Sequence, residues 1–252
     1  MAGNEREAGR GRAARLTLSI EPQPTDSTCG PTCLQAVYRY FGDDVELPAL
    51  ISEVQPLETG GTLAVSLANH ALARGYKARI YTFNLVAFDP TWFQRPGVDF
   101  RERLLAQSRV KRDPRLQAAT RAYLEFLERG GELRLEDLTR KLIRRWLGRG
   151  RPILTGLSAT YLYGCSREVG TDVLRADDLA GVPTGHFVVL CGYDRKSREV
   201  LVADPMRDNP RFGGHSYWVG IDRVIAAILL GVLTYDANLL VLEPGALEDR
   251  PA

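Results

Sequence analysis

The sequence predicts an α+β fold, with helices first and a mostly antiparallel sheet after them. Three observations predict it. Apolar residues recur at helical spacing from Cys29 onward, at Cys33, Leu34, Val37, Tyr40 and Phe41. The stretch 99–147 is dense in Arg, Glu and Leu, and Asp113-Pro114 and Gly130-Gly131 divide it into about three helices. The runs 186–193 and 199–203 are rich in β-branched residues and joined by Asp194-Arg195-Lys196-Ser197-Arg198, a β-hairpin pattern.

Each element follows in order. Residues 16–20 alternate apolar and polar, the pattern of an edge strand. Pro22, Pro24 and Asp26 keep 21–26 extended or turning. The helix from Cys29 has Pro31 in its first turn, where a missing N–H costs nothing, and Gly42-Asp43-Asp44 ends it. One face of this helix is expected to be buried. A short helix is expected over 47–54. The loop Thr59-Gly60-Gly61-Thr62 leads to a second helix, 63–74, stopped by Gly75. Residues 76–83 alternate as a strand, and 89–97, with two prolines, reads as a loop.

In 99–147, Glu136-Asp137 sit near the start of the last expected helix and Arg144-Arg145 near its end, matching the helix dipole. The arginines could form an RNA-binding face. Interleaved acidic residues favour solvated amphipathic helices instead. A short strand, 153–157, follows Gly150-Arg151-Pro152. Residues 161–183 form a long connection of the kind that is often functional. After the hairpin, Asp204-Pro205 and a loop over 207–214 lead to a strand at 216–219, an apolar helix at 221–230 and a closing strand at 238–242.

Composition limits the function classes. The chain has 252 residues, 44% hydrophobic and 25% charged, enough for a real core. A net charge of +2 gives no pull toward nucleic acid or an acidic membrane. The longest apolar run, 224–233, is half the ~20 residues that span a bilayer, so no membrane insertion is expected. The organisation read from this is a disordered basic tail (1–15), a single domain (16–245) with a helical insertion at about 98–148, and a tail (246–252). Four cysteines (Cys29, Cys33, Cys165 and Cys191) do not make a disulfide scaffold in a chain this long. Residues 1–15 lack the apolar stretch of a signal peptide, so reduced thiols and a cytoplasmic location are expected.

The residues with chemical potential centre on Cys29. A cysteine at a helix N-terminus meets the positive end of the dipole, which favours its thiolate. A nearby imidazole stabilises that thiolate and later protonates a leaving group, and a carboxylate orients the imidazole. His186 opens an apolar strand and Asp204 ends the next strand of the hairpin. Gln23, six positions before Cys29, offers an amide donor for an oxyanion. The other two histidines are His70, read as structural or surface, and His215, the fallback base. Cys33 and Cys191 read as core. Cys29 with Cys33 makes a poor metal or redox pair without a second cysteine pair, so no metal and no cofactor are expected. Cys165 has no assigned role.

Gln23, the run Cys29-Gly30-Pro31-Thr32-Cys33-Leu34, Gly185-His186-Phe187-Val188-Val189-Leu190 and Val202-Ala203-Asp204-Pro205 together resemble the papain-like cysteine peptidases. They look closest to family thirty-nine, the bacteriocin-processing or double-glycine-leader peptidases, as a stand-alone member. The resemblance is good over 21–42 and 150–204. It implies a papain-like fold with a central nucleophile helix packed on the sheet. It makes Cys29 the nucleophile, His186 the base and acid, and Asp204 the orienter, with Gln23 and the Cys29 N–H as the oxyanion hole. It also implies a peptide or peptide-like substrate. Bacteriocin-processing members are fused to an exporter and an ATPase that are not read here.

Three functions remain open. The first is a cysteine hydrolase working through a Cys29 thioester. The second is an acyl or aminoacyl transferase that resolves the same thioester with an amine. The third is a non-catalytic peptide-binding module on a reused scaffold.

Overall fold

The computed structural model describes residues 14–54, 61–170, 174–235 and 237–245. The expected basic tail up to residue 13, the start of the loop at Thr59-Gly60 and the tail 246–252 lie outside the described residues.

The first half of the chain runs β1 (Ala14–Arg15), α1 (Cys29–Tyr40), α2 (Leu47–Glu53), α3 (Ala64–Ala73), β2 (Lys77–Thr82), α4 (Thr91–Gln94), α5 (Phe100–Val110), α6 (Pro114–Glu128), β3 (Glu132–Arg134) and α7 (Arg140–Leu147). The second half runs β4 (Ile153–Ser158), α8 (Ala159–Tyr163), β5 (Glu168–Val169), β6 (Arg175–Ala176), β7 (Gly185–Asp194), β8 (Glu199–Ala203), β9 (Ser216–Gly220), α9 (Ile221–Leu230), a 3-10 turn (Gly231–Thr234) and β10 (Asn238–Glu243).

The main sheet has the order β3-β2-β10-β4-β7-β8-β9, with β1 alongside β7. Every pairing in it is antiparallel except β2 with β3. The fold is therefore of the expected α+β class, with a cysteine-bearing helix on a mostly antiparallel sheet.

Strand alternation sorts the side chains into two cores. Phe187, Val189, Cys191, Leu201 and Leu240 pack with α1, α2, α3, α5 and α6. Their neighbours Val188, Leu190, Val202, Leu239 and Val241 pack with α7, α8 and α9. Successive strand residues point to opposite faces, so a sheet with two apolar faces needs a helical layer on each.

Several expectations change. Residues 14–15, expected in a disordered tail, pair with β7, and 16–20 is not itself a strand, although Leu16 N still donates to Cys191 O at 2.8 Å. Gly192 allows this approach, because a Cβ there would lie 2.9 Å from Ala14 O. Helix α1 is buried on every side from Cys29 to Tyr38, not on one face, because the sheet and the α2–α3 pair enclose it. The proline-containing loop holds α4.

The expected insertion also differs. Its α5 and α6 complete the first core, but Glu132–Arg134 adds a strand to the sheet edge and α7 crosses to the second core. Glu136 lies ahead of α7 and pairs with Arg145. Arg129 pairs with Glu125, Arg134 with Glu132 and Arg140 with Asp222. The long connection is not irregular: α8 starts it and the β5–β6 hairpin forms its middle. No helix among the described residues is long and apolar enough to cross a membrane.

Candidate active site

Cys29 is the first residue of α1 and is 8% exposed. Thr28 precedes it but does not cap the helix. Its hydroxyl accepts from Thr25 N at 3.0 Å and donates to Thr25 O at 2.9 Å, forming a local turn. The first-turn N–H groups of α1 are thus left without a side-chain cap at the positive end of the dipole. Gly30 lets this end of α1 sit close to α3, since a Cβ there would lie 3.3 Å from Leu67 and Thr62.

Beneath the helix, β7 starts at Gly185 and pairs with β4 in a register that sets His186 opposite Leu157. His186 is 2% exposed. Its Nε2 lies 2.8 Å from Asp204 Oδ1, and Cys29 is close enough to influence its charge. With Nε2 on Asp204, Nδ1 is the nitrogen left for Cys29. Burial by itself would lower the His186 pKa. The bond to Asp204 and the influence of Cys29, with the charges of both, outweigh it and raise it to about 10.

Asp204 is fully buried just past β8. Its Oδ1 also accepts from Met206 N at 2.9 Å. Its Oδ2 accepts from Tyr163 Oη at 2.8 Å, Tyr217 Oη at 2.6 Å and Asn209 Nδ2 at 3.1 Å. Burial pushes its pKa up, but the His186 bond and charge, the Tyr217 bond and the Met206 N–H together hold it below the ordinary carboxylate value. Both tyrosines are correspondingly harder to ionise, through burial and then the Asp204 charge.

Tyr163, Tyr217 and Asn209 carry no signal in the sequence. Tyr217 is legible only once the register of β8 on β9 pairs it with Val202, on the face that Asp204 continues.

Gln23 is 4% exposed, and its Oε1 is buried with no hydrogen-bond partner among the described residues. Its main-chain N–H donates to Pro205 O at 2.8 Å. Arg207, read only as part of a loop, donates from Nη2 to Gln23 O at 3.2 Å and Pro24 O at 3.1 Å. The structure therefore joins His186 to Asp204 by a side-chain bond, and holds the Gln23 main chain against the turn after Asp204.

The fallback base His215 is committed elsewhere. Its Nδ1 lies 2.9 Å from Asp204 O, and its own carbonyl accepts from Asp204 N at 2.9 Å. His70 bridges Tyr38 (2.9 Å) and Glu53 (2.8 Å), a structural tie between α1, α2 and α3. Cys33 donates to Phe187 O at 3.3 Å, and burial raises its pKa well above the usual thiol value. Burial likewise pushes the Cys191 thiol up to about 12. Cys165 is exposed, and all four thiols are free.

The fold is of the α+β class, and comparison with known proteins bears on the family it resembles. Residues 121–219, less than half of the chain, match the model of the Peptidase_C39 like family. The span includes His186 and Asp204 and takes in α7, part of the expected insertion. Cys29 and Gln23 lie ahead of it.

No curated protein matches the chain. Among solved structures, a putative C39-like peptidase from Bacillus anthracis is similar at 15% identity, covering 93% of this chain and 99% of that one, with a TM-score of 0.48. Xylellain, a cysteine protease from Xylella fastidiosa, is similar at 12% identity, with 92% and 85% coverage and a TM-score of 0.43. The peptidase domain of Streptococcus ComA, a bi-functional ABC transporter, is similar at 12% identity, with 90% and 98% coverage and a TM-score of 0.41.

Proposed function

We propose that the protein is a cysteine peptidase that cleaves a peptide or amide bond through a thioester on Cys29. The observation that supports this reading is the buried His186 ring, 2.8 Å from a buried carboxylate and with Cys29 among the groups that raise its pKa. The Cys29 thiolate attacks the carbonyl carbon. The oxyanion is met by the uncapped Cys29 N–H and the Gln23 amide. The intermediate collapses, the C–N bond breaks, and the His186 imidazolium gives its proton to the departing amine. Neutral His186 then takes a proton from water as its oxygen attacks the thioester, releasing the acid and restoring the thiolate–imidazolium pair. Asp204 holds the ring and its charge throughout. A cytoplasmic setting agrees with four free thiols.

The test is Cys29→Ala beside the unaltered protein, each incubated with a peptide extract and read by mass spectrometry. The unaltered protein is expected to show an acyl adduct on Cys29 and new peptide termini. Cys29→Ala should show neither, with unchanged circular dichroism. Cleavage that persists in Cys29→Ala would sink the proposal. An adduct resolved only when an amine is added would move the assignment to acyl transfer.

A further inference from the structure

The turn after Asp204 holds both polar groups of the Gln23 main chain. The Gln23 N–H donates to Pro205 O at 2.8 Å, and its carbonyl accepts from Arg207 Nη2 at 3.2 Å. The same Nη2 reaches Pro24 O at 3.1 Å. Gln23 has no helix or strand of its own to fix it: the stretch from residue 16 to residue 28 forms no regular element. Pro22 and Pro24 stiffen its two sides but supply no N–H for hydrogen bonding. What aims the Gln23 amide is therefore the turn, and the turn is fixed in its own right. Met206 N and Asn209 Nδ2 both donate to Asp204, on either side of Arg207.

We propose that Arg207 is a positioning residue that acts through Gln23, locking the oxyanion donor to the segment that carries Asp204. The inference rests on the oxyanion role given to Gln23 above. Arg207 is exposed, and its bland reading is a solvated loop arginine. Its hydrogen bonds point to more: one guanidinium nitrogen is shared between two consecutive carbonyls of a segment far away in sequence. A planar guanidinium suits such a fixed fork, whereas an ammonium is a point charge that holds one direction less well. An oxyanion donor works only when it is preorganised at the position the oxyanion will occupy. A small displacement of Gln23 therefore costs rate while leaving Cys29 and His186 intact.

Two reactions of the same thiolate separate these effects. Alkylation by iodoacetamide needs the thiolate and forms no oxyanion. Acylation by p-nitrophenyl acetate passes through a tetrahedral oxyanion and releases p-nitrophenolate. The full chain is compared with Arg207→Ala, Arg207→Lys, Gln23→Ala and the double variant Gln23→Ala/Arg207→Ala.

Gln23→Ala is expected to slow acylation by about 100-fold, as loss of one oxyanion donor does. Arg207→Ala should slow it by at least about tenfold with alkylation changed less than about twofold, and Arg207→Lys should recover part of the loss. The double variant should be no slower than Gln23→Ala alone, because one residue acts through the other. Acylation at the unaltered rate in Arg207→Ala overturns the inference and leaves the Gln23 assignment standing. Acylation at the unaltered rate in Gln23→Ala overturns both. A parallel loss of acylation and alkylation in Arg207→Ala also overturns it, since the arginine would then support the fold rather than the donor.

Discussion

Asp204 accepts five hydrogen bonds: from His186, Met206 N, Tyr163, Tyr217 and Asn209. That number of donors explains how a fully buried carboxylate stays charged. The sign of the pH dependence follows. The His186 pKa is raised, so its contribution to stability is complete below the ordinary imidazole value and is lost as pH rises through about 10. The Asp204 pKa is lowered, so its contribution is present above the ordinary carboxylate value and is lost as pH falls through the depressed one. The rate of amide acylation should accordingly hold through neutral pH and fall only as pH rises through about 10, and a basic limb near ~6.5, the ordinary imidazole value, would count against the ion pair. In the double variant Tyr163→Phe/Tyr217→Phe, the acid limb of iodoacetamide inactivation should move up by about one pH unit, because burial then raises the Asp204 pKa with less opposition. A loss of rate at every pH with no shift of the limb would mean the two hydroxyls only pack. Cys29, His186, Asp204 and Gln23 were legible as candidates because nucleophile, imidazole, carboxylate and amide advertise themselves by residue type. Their supporting side chains were not, since a tyrosine reads the same whether it faces solvent or a carboxylate.

Elements whose residues carry their own period or stop signals were read closely. Helix α1 with Gly42 (φ +78°), α3 with Gly75 (φ +79°) and the β7–β8 hairpin lie within a residue or two of expectation. The elements missed are short and owe their state to a partner. Glu132-Leu133-Arg134 is a strand only because β2 lies beside it, and β5 and β6 are two residues each. That small hairpin returns to β7 through tight packing at Gly181, where a Cβ would lie 2.3 Å from Asp177 O and 2.6 Å from Arg167 C. Both are main-chain atoms and cannot swing aside. Gly181→Ala should therefore loosen the hairpin, and trypsin should cut after Arg167 or Arg175 severalfold faster than in the unaltered protein. Equal cleavage rates would show that the backbone accommodates the methyl group.

Over the whole molecule, the α+β class was readable but the second helical layer was not. Sequence shows that a strand is apolar on both faces; it does not show which helix covers which face. Trp146 illustrates this: it was expected within a surface insertion, yet it is 2% exposed in the core beneath α7. Trp146→Ala should cost about 3–5 kcal/mol, visible as a lower urea midpoint. A change below about 1 kcal/mol, the scale of surface substitutions, would return α7 to the status of an appendage.

The tie between Arg207 and Gln23 spans 184 positions. The chain emerges from the ribosome at ~5–20 residues per second, so the thiol is exposed to the cell for many seconds before its imidazole, carboxylate and clamp exist. Throughout that interval it is an ordinary cysteine on an incomplete chain. Under the proposed function, hydrolysis could begin only with the last long-range contacts, so a stalled or truncated polypeptide would carry the thiol without the means to use it. On that reading, the distance along the chain delays activity until synthesis is nearly complete.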